Sequence, residues 1–352
     1  MTVTLSNHPI YFFVPVALWP ETLPNRADEN WPGYGIGIYA WTVQTHLRLK
    51  AAGLSCELTS HLPEKGIVLC HSNALRSVEL APAPERFVIC MKAEAPMSAI
   101  ALMHIVQNPS ETSLSKDCYF IPHWPQPQLI ARDASRGDRF ENIAFYGHQN
   151  SLAPELMSHD WQVALSERGL RGRTISNTNR WNDYTEIDTG WNDYHDVDAV
   201  VAVRSFNAWR RLVTRGFSNK PATKLYNAWL SGVIPILGAE SAYQQTGTPG
   251  EDYIEVVSFS ELLGSLDRLK SSLVSRQALV EQGQIIARKY TPENIVRKWQ
   301  IFLELVAIPA YVRWCRLTQW QQKQVLIAAK TNSYIDKANR RGQRLLFPSE
   351  SG

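Results

Sequence analysis

The feature that most limits how this chain can fold is a rhythm that runs through it twice. Short apolar, β-rich runs alternate with segments of helical periodicity, the pattern of a parallel sheet flanked by helices. The first series opens with "YFFVPVAL" and continues through a long loop holding "GYGIG". From Tyr39 to Ala52, residues Ala40, Val43, Leu47 and Ala51 fall on one helical face, and Gly53 ends the helix. The runs "SCELTS", "GIVLCHS", "RFVICMK" and "ALMHIVQN" follow, the later ones apolar enough to be buried on both faces.

Between Tyr119 and Arg139 the texture changes to prolines followed by a polar stretch, which marks a linker. A second series then runs through the strand "ENIAFYG", a helix "APELMSHDWQVALSERG", the strand "DAVVAVRSF", a helix within 219–241, the strand "DYIEVVS" and the helix "FSELLGSLDRLKSS". A last helix opens at "TPENIVRKW", with Thr291 as cap and Pro292 at its first position. The expected organisation is α/β: two Rossmann-like domains facing a cleft, 1–138 and 139–305, followed by a basic, aromatic helical tail over 306–352.

A chain of 352 residues suits two such domains. Its five cysteines are odd in number, scattered, and form neither a CxxC pair nor a zinc-ligand spacing, so they read as reduced cytoplasmic thiols. The apolar start "PIYFFVPVALWP" lacks a basic leader and is broken by prolines, so it reads as a first strand and not a signal peptide. No run reaches the ~18 apolar residues of a membrane span. The net charge of +3 hides an asymmetry: between Pro309 and Gly352 eight Lys and Arg face only Asp336 and Glu350. A nucleic-acid-binding domain would instead spread basic charge over a whole face.

The stretch "NKPATKLYNAWLSGVIPILGAES" carries the chemistry. In a helix from about Ala222 to Gly232, Leu225, Ala228, Trp229 and Gly232 form the face toward the sheet, and Lys224, Asn227 and Ser231 form a polar stripe. Pro221 suits the first turn, and Asn219 or Thr223 can cap it. The free N–H groups at that end, Lys224 beside them and Arg204 at the exit of "VVAVR" together suit a diphosphate. The plain alternatives are a solvated Lys224 and an Arg204 paired with Asp196 or Asp198.

"TKLYNAWLSGVIPILG", "ESAY" and "DYIEVVSFSELLGSL" resemble the nucleotide-sugar-binding half of GT-B glycosyltransferases, in the α1,3-fucosyltransferase and exostosin-type pattern. The whole chain also resembles bacterial GT-B-like proteins, with cyanobacterial ones among them. The resemblance implies a glycosyltransferase that moves a sugar from a nucleoside-diphosphate donor; inversion is expected because the glutamate of retaining families is missing, and no metal or other cofactor is expected. It places Lys224 on the donor diphosphate, with Arg204 at the strand end and Thr223 and Asn227 on the same helix. It puts Gly147 and His148 of "ENIAFYGH" near the phosphates, and Glu240 with Ser241 beyond the next strand. Retaining GT-B families carry a glutamate where this chain has Asn227, which leaves ribose recognition unassigned; Glu240 is a candidate acceptor for a ribose or sugar hydroxyl, the alternative being an exposed loop glutamate.

An inverting transfer needs a general base from the N-terminal half. Glu94 after "RFVICMKA" is the first candidate, with a pKa raised by its apolar strand; His71 after "GIVLC" is the second, and Asp28 and Glu29 lie in the first long loop. Gly35 and Gly37 of "GYGIG" would let backbone approach a ligand. "DVD" at Asp196–Asp198 reads as a strand start and not a metal motif. "WNDY", present at Trp181 and at Trp191, reads as turns with a packed Trp, or as a grip on a nucleotide base. The tail's aromatic part suits a last helix crossing back onto the N-terminal domain. Its basic excess suits either a solvated face or anionic lipid headgroups on the inner face of a membrane, with a lipid-linked or membrane-borne acceptor. A nucleotide-sugar epimerase and a non-catalytic nucleotide-binding or membrane-docking protein are the competing readings.

Overall fold

The computed structural model describes residues 8–78, 83–177 and 189–346. Within them the strands are β1 (Ile10–Phe13), β2 (Glu57–Thr59), β3 (Gly66–His71), β4 (Arg86–Met91), β5 (Met103–Val106), β6 (Cys118–Phe120), β7 (Asn142–His148), β8 (Arg171–Asn177), β9 (Ala199–Ala202), β10 (Ile234–Gly238) and β11 (Ile254–Val256). The helices are α1 (Gly37–Trp41), α2 (Val43–Ala51), α3 (Ser72–Arg76), α4 (His159–Glu167), α5 (Ala208–Val213), α6 (Thr223–Leu230), α7 (Ser241–Gln244), α8 (Phe259–Ser271), α9 (Leu273–Ala287), α10 (Pro292–Phe302), α11 (Ile308–Arg316) and α12 (Gln319–Leu346). The first "WNDY", at Trp181, lies outside the described residues.

The chain divides into two compact units. Unit 1 is Met1–His123 with Pro292–Gly352, and unit 2 is Trp124–Thr291. Unit 1 holds a six-stranded parallel sheet in the order β2-β1-β3-β4-β5-β6. Unit 2 holds a five-stranded parallel sheet in the order β11-β10-β9-β7-β8. The winding is the same in both: the first strand of each lies between the second and the third. The connections therefore reverse direction beside β1 and beside β7, and such a reversal opens a crevice at the carboxyl ends of the flanking strands. His71 ends β3, Gly147 and His148 end β7, and Arg204 follows the end of β9.

The units divide at 123/124 and again at 291/292, where the sequence pattern suggested 138/139 and 305/306. Residues 124–138 join unit 2 through backbone and side chains: Ile130 bridges Asp193, the Arg132 N–H donates to the Ser231 carbonyl at 2.9 Å, and the Arg132 guanidinium donates to Asp198. Helix α10 joins unit 1, where it packs on α2 and sets Phe302 against Tyr119 at 5.3 Å. After α10 the helix widens into a π-turn over Leu303–Ala307, just before Pro309, whose ring removes a backbone donor.

Two local expectations need correction. The helix expected over 39–52 is broken at Thr42 into α1 and α2. Helix α2 buries Gln44, Thr45 and His46 beside Val43 and Leu49, while Ala51 is exposed. Contact with both β2 and α10 makes the covered arc wider than the apolar stripe. In α6, Leu225, Ala228 and Trp229 are buried as expected, but so are Asn227 and Ser231 of the supposed polar stripe. The Trp229 ring fills the space left by Gly247 and Gly283, where a Cβ would come within 2.9 and 2.5 Å of it, and its Nε1 donates to the Asp252 carbonyl at 2.9 Å. The N-cap of α6 is Ala222, so neither Asn219 nor Thr223 occupies that position.

Candidate functional site

In unit 2, β7 ends on Gly147, whose φ of +139° is one that residues with a side chain rarely adopt. A Cβ built there would lie 3.2 Å from both Cε and Nζ of Lys224. The lysine thus rests on the bare backbone of the strand end, with its amine 5.5 Å from the centre of the Phe145 ring. Lys224 and the half-buried Thr223 occupy the first turn of α6, where unpaired backbone N–H groups add partial positive charge. Two stretches about eighty residues apart in sequence, "FYGH" and "TKL", therefore meet. His148 sits edge-on to Trp191 of the second "WNDY", with ring centroids 5.5 Å apart, and the buried Nε1 of that tryptophan has no hydrogen-bond partner among the described residues.

Arg204 does not pair with Asp196 or Asp198. Its Nε donates to Oε2 of Glu240 at 2.9 Å, with the side chains 11% and 2% exposed. Glu240 is thus a buried carboxylate and no exposed loop residue, and its Oε1 is buried with no hydrogen-bond partner among the described residues. Ser241 spends its N–H on the carbonyl of Gly216 at 2.8 Å. Gly216 lies in a turn where Arg215, Gly216 and Phe217 are all left-handed, at φ 52°, 62° and 54°. Two of them carry side chains and would each be strained by about 1–2 kcal/mol. The bond from Ser241 and one from the Gly216 N–H to the Arg211 carbonyl, at 2.8 Å, hold that turn.

Asn227 is set apart from Lys224 by its contacts. Its Oδ1 accepts the Gln126 N–H at 3.0 Å, and its side chain also bonds Tyr194, so it fastens residues 124–130 to the unit. Asp198 of "DVD" is likewise committed: its carboxylate accepts from Arg132, Arg136 and the N–H groups of Glu141 and Asn142. Burial alone would raise its pKa, but those bonds hold it below the ordinary value. Asp196 pairs with Arg173 at 3.0 Å. Neither aspartate of the motif is set up as a metal ligand, and among the described residues no three His, Cys, Asp or Glu side chains cluster to hold an ion.

In unit 1 the structure brings together Gly37, His71 and Glu94. A Cβ on Gly37 would lie 3.4 Å from Nε2 of His71. Nδ1 of His71 accepts the Asn73 N–H at 3.1 Å and caps α3, which leaves the proton on Nε2. That Nε2 is buried with no hydrogen-bond partner among the described residues. Burial first, then the charges of Arg76 and His123, push the His71 pKa down to about 3 against a small opposing effect of Glu94. The ring is therefore a neutral hydrogen-bond donor at physiological pH and a poor proton acceptor, which corrects its standing as a base candidate. Glu94 is half-buried in the turn after β4, next to Ala93 at φ 49°. Gly35 ends the short turn Pro32–Gly35, in which Gly33 is required by the Trp31 ring lying against it.

Sequence reasoning missed what holds the Glu94 turn. Lys92, fully buried, is ion-paired to the buried Glu111, and Glu111 also meets Arg340 of α12 at 2.9 Å. Arg340 further donates to Asp336 at 3.0 Å and to the Glu94 carbonyl at 2.8 Å, while the Met97 N–H donates to Asp336 at 2.7 Å. Burial lowers the pKa of Lys92 and raises that of Glu111, and their mutual attraction opposes both shifts. One signal was available: Asp336 is the lone acid of the basic tail before Glu350.

No family model matches this chain, and no curated protein matches it either. Among solved structures it is similar to Anabaena HepE in complex with UDP and glucose, at a TM-score of 0.51 and 10% identity over 84% of this chain and 99% of HepE. It is also similar to AviGT4, a glycosyltransferase involved in avilamycin A biosynthesis, at 0.44 and 13% over 83% and 97%. Similarity to TarM, at 0.49 and 9%, covers 73% of this chain and 57% of TarM, so the chain spans little more than half of that protein. At such identities the likeness gives the fold alone, and that fold is GT-B: two Rossmann-like units of the observed winding with a helical C-terminal extension. The narrower likeness to fucosyltransferases and exostosins has no support.

Proposed function

We propose that this protein is a glycosyltransferase that moves a sugar from a nucleoside-diphosphate donor to an acceptor hydroxyl. The observation that carries the reading is the Lys224 amine resting on the left-handed Gly147 at the carboxyl end of β7, beside the first turn of α6. A cation, a strand end stripped of side chain and a helix terminus together suit a diphosphate. Glu240, oriented by Arg204 and with one buried oxygen left over, suits a hydroxyl of the donor's ribose or sugar. The indole N–H of Trp191 suits a polar group of the base.

The chemistry is an inverting displacement without metal. The acceptor oxygen loses its proton to Glu94 as it attacks the anomeric carbon, and the bond from that carbon to the phosphate oxygen breaks. The electron pair leaves with the nucleoside diphosphate, whose new charge Lys224 and the α6 terminus stabilise. His71 donates a hydrogen bond from Nε2 and holds no proton in transit. Thermal stabilisation by a panel of nucleotides and nucleotide sugars tests the donor class. Glu94→Gln is expected to abolish transfer while leaving donor affinity unchanged; full activity in that variant would reassign the base.

A further inference from the structure

Helix α12 has two faces of different character. Toward unit 1, Ser333 donates to the Met97 carbonyl at 2.7 Å, Asp336 accepts from Met97, and Gln322 donates to the carbonyls of Pro84 and Trp314 at 2.9 and 3.0 Å. A flank of the helix, roughly 100° around from that face at 3.6 residues per turn, carries Trp320, Lys323, Ile327, Lys330, Tyr334 and Lys337, spaced alternately three and four residues apart, so they form one continuous stripe. All six are exposed, with Trp320 at 69%, Ile327 at 49% and Tyr334 at 58%. Along the stripe apolar and cationic side chains alternate strictly. The amines of Lys330 and Lys337 each lie 5.9 Å from the centre of the Tyr334 ring.

We infer that this stripe docks the protein on an anionic lipid bilayer, with α12 lying in the plane of the surface. Charge chooses the partner: Asp336 is the one carboxylate between Gln319 and Leu346, and it is buried in the ion pair with Arg340. A second copy of the same face would set lysine against lysine with no acid to pair them. The ring types choose a membrane over an acidic protein: Trp and Tyr settle at the boundary between headgroups and hydrocarbon, and lysine stems lie along apolar surface while their amines reach outward to phosphate. From Trp320 to Lys337 the stripe runs for roughly 25 Å at ~1.5 Å per residue, enough to span several headgroups. Among the described residues no helix is long and apolar enough to cross a membrane, so this is contact with one leaflet. The inference is independent of the reaction assigned above.

Sedimentation of the full chain with vesicles of phosphatidylcholine, with and without phosphatidylserine, tests it. Binding is expected only to the phosphatidylserine vesicles and is expected to weaken as salt rises. Replacing Lys323, Lys330 and Lys337 together by Gln is expected to lower the partition coefficient on the order of 100-fold, each lysine contributing about fivefold. Brominated-chain lipids are expected to quench part of the wild-type tryptophan emission, and Trp320→Phe to remove that part, a readout that does not depend on the triple variant folding. Equal binding to neutral vesicles, undiminished binding of a folded triple variant, or a self-association that the triple variant abolishes while vesicle binding is absent would each overturn the inference.

Discussion

At the end of β7 a lysine of α6 rests half-exposed on a glycine and an aromatic ring, whereas just past the end of β4 a second lysine is sealed from solvent against a carboxylate brought from elsewhere in the chain. The sheets that carry them are wound alike. Lys92 has its countercharge built in as Glu111, and Glu111 in turn meets Arg340, so the positive charge is consumed in fastening α12 to unit 1. Lys224 lies half-exposed against Gly147 and the Phe145 ring, at a strand end where the backbone is bare. The difference shows how one topology places a lysine either half-exposed at a strand end beside a helix terminus or in a buried pair that fastens a distant helix.

The largest effect that separates the units is expected from acid. Unit 1 buries His46, His71 and His104, and burial pushes their pKa values down to about 4, 3 and 4. In the unfolded chain each takes up a proton near pH 6.5, so below that pH the unfolded state binds more protons than the native one. Stability is unaffected by these groups above about pH 7, falls as the pH drops from 6.5 toward 4, and levels off below the native pKa values. The loss at pH 4 should be about 3 kcal/mol for each histidine, on the order of 10 kcal/mol in all. Hydrogen exchange read by peptide should show unit 1 opening before unit 2 on acidification. The reverse order would break the comparison.

Next in size is Glu111→Ala. It leaves Lys92 charged, fully buried and without its partner, and it also removes one of the acids that hold Arg340. Breaking such a pair costs about 3–5 kcal/mol, to be measured by urea unfolding. Lys224→Ala is expected to weaken nucleoside-diphosphate binding by about 1.5–3 kcal/mol, the range for a hydrogen bond to a charged group. Calorimetry that found nucleotide affinity unchanged would remove Lys224 from the site.

What could be read from the sequence and what could not divide along similar lines. Most of the described strands and α6 announce themselves through local periodicity and through Pro221 and Gly232, while the short β6 and the polar β8 do not; the placing of Gly147 near the same ligand as Lys224 comes from the family resemblance. Partners chosen by tertiary structure leave no local trace. Arg204 finds Glu240 thirty-six residues on, and Arg340 finds Glu111 across 229 residues. The burial of Gln44, Thr45 and His46 depends on α10 returning from a distant part of the chain, which periodicity within α2 cannot reveal. The same return moves 292–305 into unit 1.

The smallest effects come from a reciprocal pair of substitutions in the two strand-end turns. Gly147 and Ala93 both hold positive φ, +139° and +49°, but only one of them is a glycine. Gly147→Ala adds a methyl group to a backbone that disfavours it and brings that group within 3.2 Å of the Lys224 amine. It should cost about 1–2 kcal/mol and lower donor affinity along with stability. Ala93→Gly relieves a left-handed alanine, a gain of about 1 kcal/mol that the greater freedom of glycine in the unfolded chain largely offsets, so the net change should lie within about 0.5 kcal/mol of zero. Ala93 keeps its conformation because Arg340 and Asp336 grip the residues after it, at the Glu94 carbonyl and the Met97 N–H. If Ala93→Gly proved as destabilising as Gly147→Ala, the turn after β4 would owe its shape to the alanine side chain and not to α12, and the contrast between a strand end left open and one clasped by the chain's own last helix would fail.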